Sequence, residues 1–370
     1  MSTVVFAVGA RPNFVKMAPV IEAVGRQGLF RQLVVHTGQH YDERMSAEIL
    51  DDLAFPKPDR FLGIGSGSHA EQTGFTLIAF ERVLLEERPD LVVVSGDVNA
   101  TLACSLAASK LGVPVAHVES GLRSNDWSMP EEQNRVLTDR LSELLFTHSP
   151  EANENLVAEG IAEERIHYVG NTMIDTLRRL ERDARARRAW ERLGAVENDY
   201  ALVTLHRPSN VDQEERLRAV VAALAELGRH TKVLFPIHPR TRGRLAAGDG
   251  LDRLERAGVV CLEPLGYLDF LSLESGAGMI VTDSGGLQEE AAALGVPCYT
   301  LRPNTERPIT IVQGTNTLIG DDPAAIASLR PSGEPPAPCA IPLWDGHAAE
   351  RVADVIGQAV GPVGAIATSA

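Results

Sequence analysis

Short apolar runs alternate along the chain with longer segments of helical periodicity. Runs at 4–8, 33–36, 91–95, 115–118 and 145–147 have the length and composition of strands. Between them, residues 15–24, 44–53, 71–86, 101–111 and 131–141 repeat their apolar positions at helical spacing. A second series starts at 200–205 and continues through 232–236, 279–282 and 297–301. Alternating strand and helix predicts parallel sheets covered by helices on both faces. Two such series predict an α/β chain of two doubly wound, Rossmann-like domains facing a cleft, with ligands at the carboxyl ends of the strands. The expected division is 1–171 for the first domain and 172–347 for the second, the latter entered by a long charged helix over 172–193. Residues 331–342, rich in proline and small residues, read as a surface connection. The final segment, 348–370, begins with an apolar-periodic helix over 348–360 that is expected to cross back to the first domain, and 363–370 reads as a frayed tail.

Composition narrows the partners. With 370 residues, 44% hydrophobic and 23% charged, the chain is an ordinary two-domain globular protein. Its net charge of −15 argues against nucleic acid or an anionic membrane as partner, but a few well-placed cations still suffice for a small anionic ligand. The four cysteines (Cys104, Cys261, Cys298, Cys339) have no metal-ligand or redox spacing, so reduced thiols and no metal are expected. No export signal or membrane-length apolar stretch opens the chain, and a cytoplasmic location is expected.

The chemistry-bearing residues follow the strands. Residues 281–297 read VTDSGGLQEEAAALGVP: strand, tight turn, helix. The turn is expected to leave the backbone N–H groups of Ser284, Gly285 and Gly286 free at a helix N-terminus, a seat for a phosphate. Glu289 and Glu290 follow within reach of ribose hydroxyls. An ordinary helix start, with acids complementing the dipole, fits this stretch as well. The first strand runs into GARPNFVKMAP, which lacks the dinucleotide fingerprint G-x-G-x-x-G. Arg11 and Lys16 there suggest an anion site, with no nicotinamide seat. A second glycine-rich stretch, GIGSGSH at 63–69, follows no clear strand and reads as a mobile loop.

Asp97 and Glu119 each follow a strand, and Glu131 opens a helix with Arg135 one turn on at i,i+4. Glu131 alone fits a dipole role, but two strand ends bearing carboxylates suggest proton transfer on both faces of a substrate carbon. His206 and Arg207 follow a strand in the second half, where a general acid/base or a phosphate donor is expected. His238 and Arg240 fit a second such pair or a structural loop equally. Arg307 lies within reach of the glycine turn, or forms a local pair with Glu306.

Taken together, GARPNFVKMAP, TGQHYD, SGDVNATLA, HVESGLRS, MPEEQNR, GNTMID, LHRPSN, TDSGGLQEE and TERPIT, in this order over 4–320, resemble the non-hydrolysing UDP-N-acetylglucosamine 2-epimerases. The resemblance implies the two-domain glycosyltransferase-B fold, a homodimer, and a cofactor-free reaction. UDP leaves across C1–C2 of the sugar to give a 2-acetamidoglucal and returns with inversion at C2, feeding N-acetylmannosamine into surface polysaccharides. Matched onto the motifs, Asp97, Glu119, Glu131 and His206 are catalytic. Arg11, Lys16 and Arg135 bind phosphates or orient the carboxylates. Ser284, Gly285 and Gly286 hold the diphosphate, Glu290 the ribose with Arg307 nearby, and Phe270 lines the uracil pocket. Where many members read HRRE or HREN, this chain reads His206-Arg207-Pro208-Ser209-Asn210. Pro208 stands where relatives with an allosteric substrate site carry a second arginine, and the accompanying segment reads Gln39-His40-Tyr41-Asp42. The same catalytic set also serves epimerases of diacetamido uronic acid nucleotides, and the fold serves hydrolysing epimerases and glycosyltransferases.

Overall fold

The computed structural model describes residues 1–38, 50–335, 337 and 340–361, apart from the side chain of Arg11. The expected helix over 44–53 falls largely outside them, as do Gln39 to Asp42 and the tail. The described chain divides into two compact units: Met1–Thr176 together with the segment from Pro342 onward, and Leu177–Ile341. Each is an α/β unit built on one parallel sheet.

In unit 1 the strands are β1 (Ser2–Val8), β2 (Phe30–His36), β3 (Arg60–Phe61), β4 (Leu91–Ser95), β5 (Val115–Val118), β6 (Leu144–Thr147) and β7 (Ile166–Tyr168), in the order β3-β2-β1-β4-β5-β6-β7. In unit 2 they are β8 (Tyr200–Thr204), β9 (Lys232–Pro236), β10 (Val259–Leu262), β11 (Met279–Thr282), β12 (Cys298–Thr300) and β13 (Asn316–Leu318), in the order β10-β9-β8-β11-β12-β13. The strand order reverses beside β1 in one unit and beside β8 in the other, and each reversal opens a crevice at the strand carboxyl ends. β1, β4 and β8 are apolar runs because helices cover both of their faces. Val5, Val35, Val92 and Val94 pack with Phe80 in unit 1, and Val203, Val233, Phe235 and Val281 pack with Leu224 in unit 2.

Four strands were not anticipated from the apolar pattern: β3, β7, β10 and β13. All four are sheet edges. β3 is exposed and the others are mostly half-buried; Arg60–Phe61, Ile166–Tyr168 and Asn316–Leu318 carry polar residues that break any apolar run, whereas β10, VVCL, is short but apolar throughout. The stretch 63–69 therefore does follow a strand. Its end is a helix cap, because Ser68 Oγ accepts from the Glu71 amide while the Glu71 carboxylate accepts from the Ser68 amide.

The helices that carry the site are α1 (Arg11–Gln27), α2 (Asn99–Lys110), α3 (Pro130–Leu141), α4 (Thr172–Ala186), α5 (Gly285–Leu294) and α6 (Ala348–Val360). α4 is shorter than expected. It stops at Ala186, Arg188 takes a left-handed conformation (φ 46°), and a separate turn, Ala189–Arg192, follows. α6 packs within unit 1, where Asp175 accepts from the amides of Ala348 and Ala349 at its first turn. No helix among the described residues is long and apolar enough to cross a membrane.

Candidate active site

In unit 1 the turn after β1 is fastened to the end of β4. Asn13 accepts from the amides of Gly9 and Ala10 at 3.2 and 3.0 Å, and its Nδ2 donates to the Ser95 carbonyl at 2.9 Å. One turn further along α1, buried Lys16 forms an ion pair with Glu119. Glu119 sits past β5 with φ 69°, a left-handed backbone that a glutamate adopts only when its surroundings impose it. Gly96 is also left-handed (φ 65°), and a Cβ there would stand 3.5 Å from Lys16 Nζ. The ammonium of Lys16 thus lies between the Glu119 carboxylate and the backbone that carries Asp97.

Asp97 is gripped from α3. Arg135 Nε and Nη2 reach its Oδ2 at 3.0 and 2.6 Å, while Arg135 Nη1 reaches Glu132 Oε2 at 2.7 Å. The arginine was expected to share a face with Glu131, but its acidic partner on the helix is the next residue. Glu132 is buried and turns back to accept from the amides of Ser124 and Asn125. Glu131, by contrast, is exposed on the first turn of α3. The carboxylates of Asp97 and Glu119 each have a cation of their own, so Coulomb attraction and directed N–H donors fix where their lone pairs point.

In unit 2 the expected anion seat falls at the start of α5. Ser284 stands at the N-cap position without a side-chain cap bond, and Gly285 and Gly286 form the first turn, where amides have no carbonyl of their own helix to bond. The expectation of three free amides needs one correction: Ser284 N–H donates to Thr282 Oγ1 at 2.9 Å. A Cβ at Gly285 would stand 2.3 Å from Arg307 Nη1, so a larger residue there displaces the guanidinium. Arg307 is buried, with its Nε 3.1 Å from Glu289 and its Nη1 3.5 Å from Glu306. Glu306 also pairs with Arg207 at 3.1 Å and Arg302 at 2.8 Å. Burial alone would raise the Glu306 carboxyl, but Arg307, Arg302 and Arg207 outweigh it and hold it well below the usual range. Three guanidiniums, Arg207, Arg302 and Arg307, stand against two buried carboxylates, Glu306 and Glu289, and so leave one positive charge in excess beside the helix N-terminus, a field that suits an anion.

His206 follows β8 with its Nδ1 3.2 Å from Asp283 Oδ1. Asp283 is fully buried and also accepts from the amides of His206 and Arg207 and from Asn210 Nδ2. His238 lies with its ring centroid 5.5 Å from that of His206 and caps the following helix by accepting from the Arg240 amide. Glu290 is buried and accepts from Tyr267 Oη at 2.9 Å, and Phe270 is half-buried on the helix Tyr267–Gly276.

The sequence model of the UDP-N-acetylglucosamine 2-epimerases matches residues 22–357. The chain belongs to the UDP-N-acetylglucosamine 2-epimerase family. It is 48% identical over 321 residues to a UDP-N-acetylglucosamine 2-epimerase of Methanocaldococcus jannaschii, covering 85% of this chain and 87% of that one. It is 42% identical over 321 residues to the UDP-2,3-diacetamido-2,3-dideoxy-D-glucuronate 2-epimerase of Pseudomonas aeruginosa, again covering 85% and 87%. Among solved structures, the M. jannaschii UDP-GlcNAc 2-epimerase in complex with UDP-GlcNAc and UDP superposes with a TM-score of 0.88 at 43% identity, over 96% of this chain and 99% of that one. The family's two-domain, Rossmann-like architecture is the one described above.

Glu132, Asp283 and Glu306 were not singled out from the sequence as functional. Asp283 takes its donors from the turn after β8, far along the chain, whereas Glu132 and Glu306 take most of theirs from nearby residues, and only the polarity of the neighbourhood, as in MPEEQNR or VTDSGG, marks these acids beforehand.

Proposed function

We propose that this epimerase interconverts UDP-N-acetylglucosamine and UDP-N-acetylmannosamine by elimination and re-addition of UDP. The observation that carries the reading is the pair of strand-end carboxylates, Asp97 and Glu119, each held by its own buried cation in a chain of this family. The C1–O bond breaks with its electron pair going to UDP, and the C2 proton passes to a basic side chain, leaving a C1=C2 double bond. A proton then returns to C2 from the opposite face as a UDP oxygen rejoins C1. The C2 hydrogen is not next to a carbonyl, so it becomes acidic only as positive charge develops at C1. Stabilising the departing UDP is therefore the larger electrostatic contribution.

In this reading the α5 turn and Arg307 hold the diphosphate, Glu290 meets the ribose and Phe270 lines the uracil pocket. Arg11, Lys16 and Arg135 bind phosphate or orient the carboxylates. Asp97, Glu119, Glu131 and His206 carry the acid/base steps. With Nδ1 turned to Asp283 at 3.2 Å, Nε2 is the His206 nitrogen left for that work. A cytoplasmic homodimer supplying precursors of surface polysaccharide completes the proposal on the strength of the family resemblance.

Incubation with UDP-N-acetylglucosamine in deuterated water is expected to yield UDP-N-acetylmannosamine carrying deuterium at C2. A folded protein that binds UDP but gives neither product nor exchange overturns the reading. The 42% identity to the Pseudomonas aeruginosa enzyme supports a second one, in which the substrate is a UDP-diacetamido uronic acid. A parallel incubation with that nucleotide separates the two.

A further inference from the structure

Beneath the catalytic surface of unit 1 lies a buried polar network that the proposed reaction does not itself use. Three consecutive carbonyls at the end of β4 each accept from a side chain on a different element. The Ser95 carbonyl takes Asn13 Nδ2 at 2.9 Å and Thr101 Oγ1 at 2.8 Å. The Gly96 carbonyl takes His117 Nε2 at 2.9 Å, and the Asp97 carbonyl takes Asn134 Nδ2 at 2.9 Å. His117 is on β5, two residues before Glu119, and is fully buried. Its other nitrogen, Nδ1, lies 2.6 Å from Asp139 Oδ1. Asp139, also fully buried, turns its second oxygen to the Gly121 amide at 3.1 Å and to Arg123 Nη1 at 2.8 Å.

The path joins the two carboxylate-bearing loops. From Asp97 it runs through the Gly96 carbonyl to His117 and Asp139, and from Asp139 through the Gly121 amide to the loop that begins at Glu119. It also constrains His117 chemically. A carbonyl oxygen can only accept, so Nε2 must carry a hydrogen. Asp139 also faces the Gly121 amide and the Arg123 guanidinium, which favour its carboxylate form independently of His117, and a carboxylate can only accept, so Nδ1 carries one too. Burial alone would raise the Asp139 carboxyl, but the His117 hydrogen bond and the charges of His117 and Arg123 outweigh it and keep it ionised. Arg123 is matched in turn by Glu159, at 2.6 and 2.8 Å. Two cations thus face two carboxylates, and the network is neutral within itself.

We propose that Asp139 and a doubly protonated His117 form a positioning pair that sets the spacing between the carboxylates of Asp97 and Glu119. Proton removal on one face of a carbon and delivery on the other tolerates little error in that spacing. Displacing one loop by a fraction of an ångström costs rate with little effect on how UDP binds. The kinetic part rests on the epimerase reading, whereas the protonation state does not.

Nitrogen-15 NMR of the histidine-labelled protein, with His117→Gln to assign the signals, is expected to show hydrogens on both ring nitrogens of His117. One bare nitrogen overturns the proposal, whatever the enzyme's activity. For the kinetic part, His117→Asn keeps a donor for Asp139 but falls short of the Gly96 carbonyl, whereas His117→Gln places its amide where Nε2 stood. We expect His117→Asn to lower kcat by about 30-fold with KM and UDP affinity nearly unchanged, and His117→Gln to recover part of that loss. An unchanged kcat, a parallel loss of UDP affinity, or equal loss in the two variants overturns the positioning role. A wild-type protein that makes no product defeats the epimerase reading and leaves the NMR result standing.

Discussion

β1 and β8 occupy equivalent places in their sheets, each beside the point where strand order reverses, and the loops around them are fastened alike. Asn13 ties the turn after β1 to the end of β4, and Asn210 ties the turn after β8 to Asp283 just past β11. The acids at those strand ends are used in opposite ways. Asp97, two residues past β4, has its side chain 23% exposed and faces a cation. Asp283, one residue past β11, is fully buried and accepts from the backbone and side chains around it. In the proposed function one acid is a reactive group, while the other supports the turn that carries His206. The difference comes from the donors supplied: two successive amides and an asparagine draw Asp283 inward, while Arg135 holds Asp97 at the surface. Equivalent topology does not assign equivalent chemistry.

The sharpest way to break this comparison is to neutralise the acids of unit 1 that face a cation. Asp97→Asn and Glu119→Gln are expected to reduce turnover by about 10²–10⁴-fold while UDP affinity stays close to wild type. Calorimetric titration with UDP beside a deuterium-exchange assay checks both halves of that statement. Equal loss of binding and turnover would make these residues structural. A smaller and opposite effect belongs to unit 2. Gly285→Ala pushes a Cβ against Arg307 Nη1, so the arginine must leave its place beside the helix terminus. We expect UDP to bind about tenfold more weakly, or roughly 1.4 kcal/mol. Wild-type affinity in this variant would remove the diphosphate from the α5 turn.

The central strands could be read from the chain because burial on both faces makes them apolar, and a run such as LVVVS at β4 has no other ready interpretation. Edge strands such as Arg60–Phe61 and Asn316–Leu318 could not, since they are short and carry polar or exposed residues, and only pairing with a neighbour makes them strands. The site divides in the same way. Asp97, Glu119, His206 and the Ser284–Gly286 turn stand out as polar residues directly after apolar runs. Glu132 did not, because helical spacing favours Glu131 as the partner of Arg135. Glu132 wins that position because two loop amides at Ser124 and Asn125 fix its carboxylate. His117 hides inside the strand run VAHV, where a lone histidine reads as core until the Gly96 carbonyl and Asp139 are seen on its two sides.

The subtlest test of the contrast between the units is their response to pH. In unit 1, burial pushes the Asp175 carboxyl up to about 6, with Asp345 adding to the rise and the amides of Ala348 and Ala349 and the charge of Arg351 opposing it. Its ordinary value is 3.8, so the folded unit binds a proton that the unfolded chain has released between those limits. That contribution to stability is fully present below about 4 and is lost as pH rises through 6, at most about 3 kcal/mol. Glu306 in unit 2 has the opposite sign. Its folded value lies well below 4.5, so its contribution is present above that pH and is lost only as pH falls further. Lowering the pH from 7 to 5 should therefore tighten the attachment of α6 to unit 1 and leave the Glu306 contribution unchanged. Amide exchange corrected for intrinsic rate, read on peptides covering 348–360 and 285–294, is expected to show protection rising in the first and flat in the second. Asp175→Asn should remove the rise. A rise that survives this substitution would trace the pH response to another group and leave Asp175 as a helix cap alone.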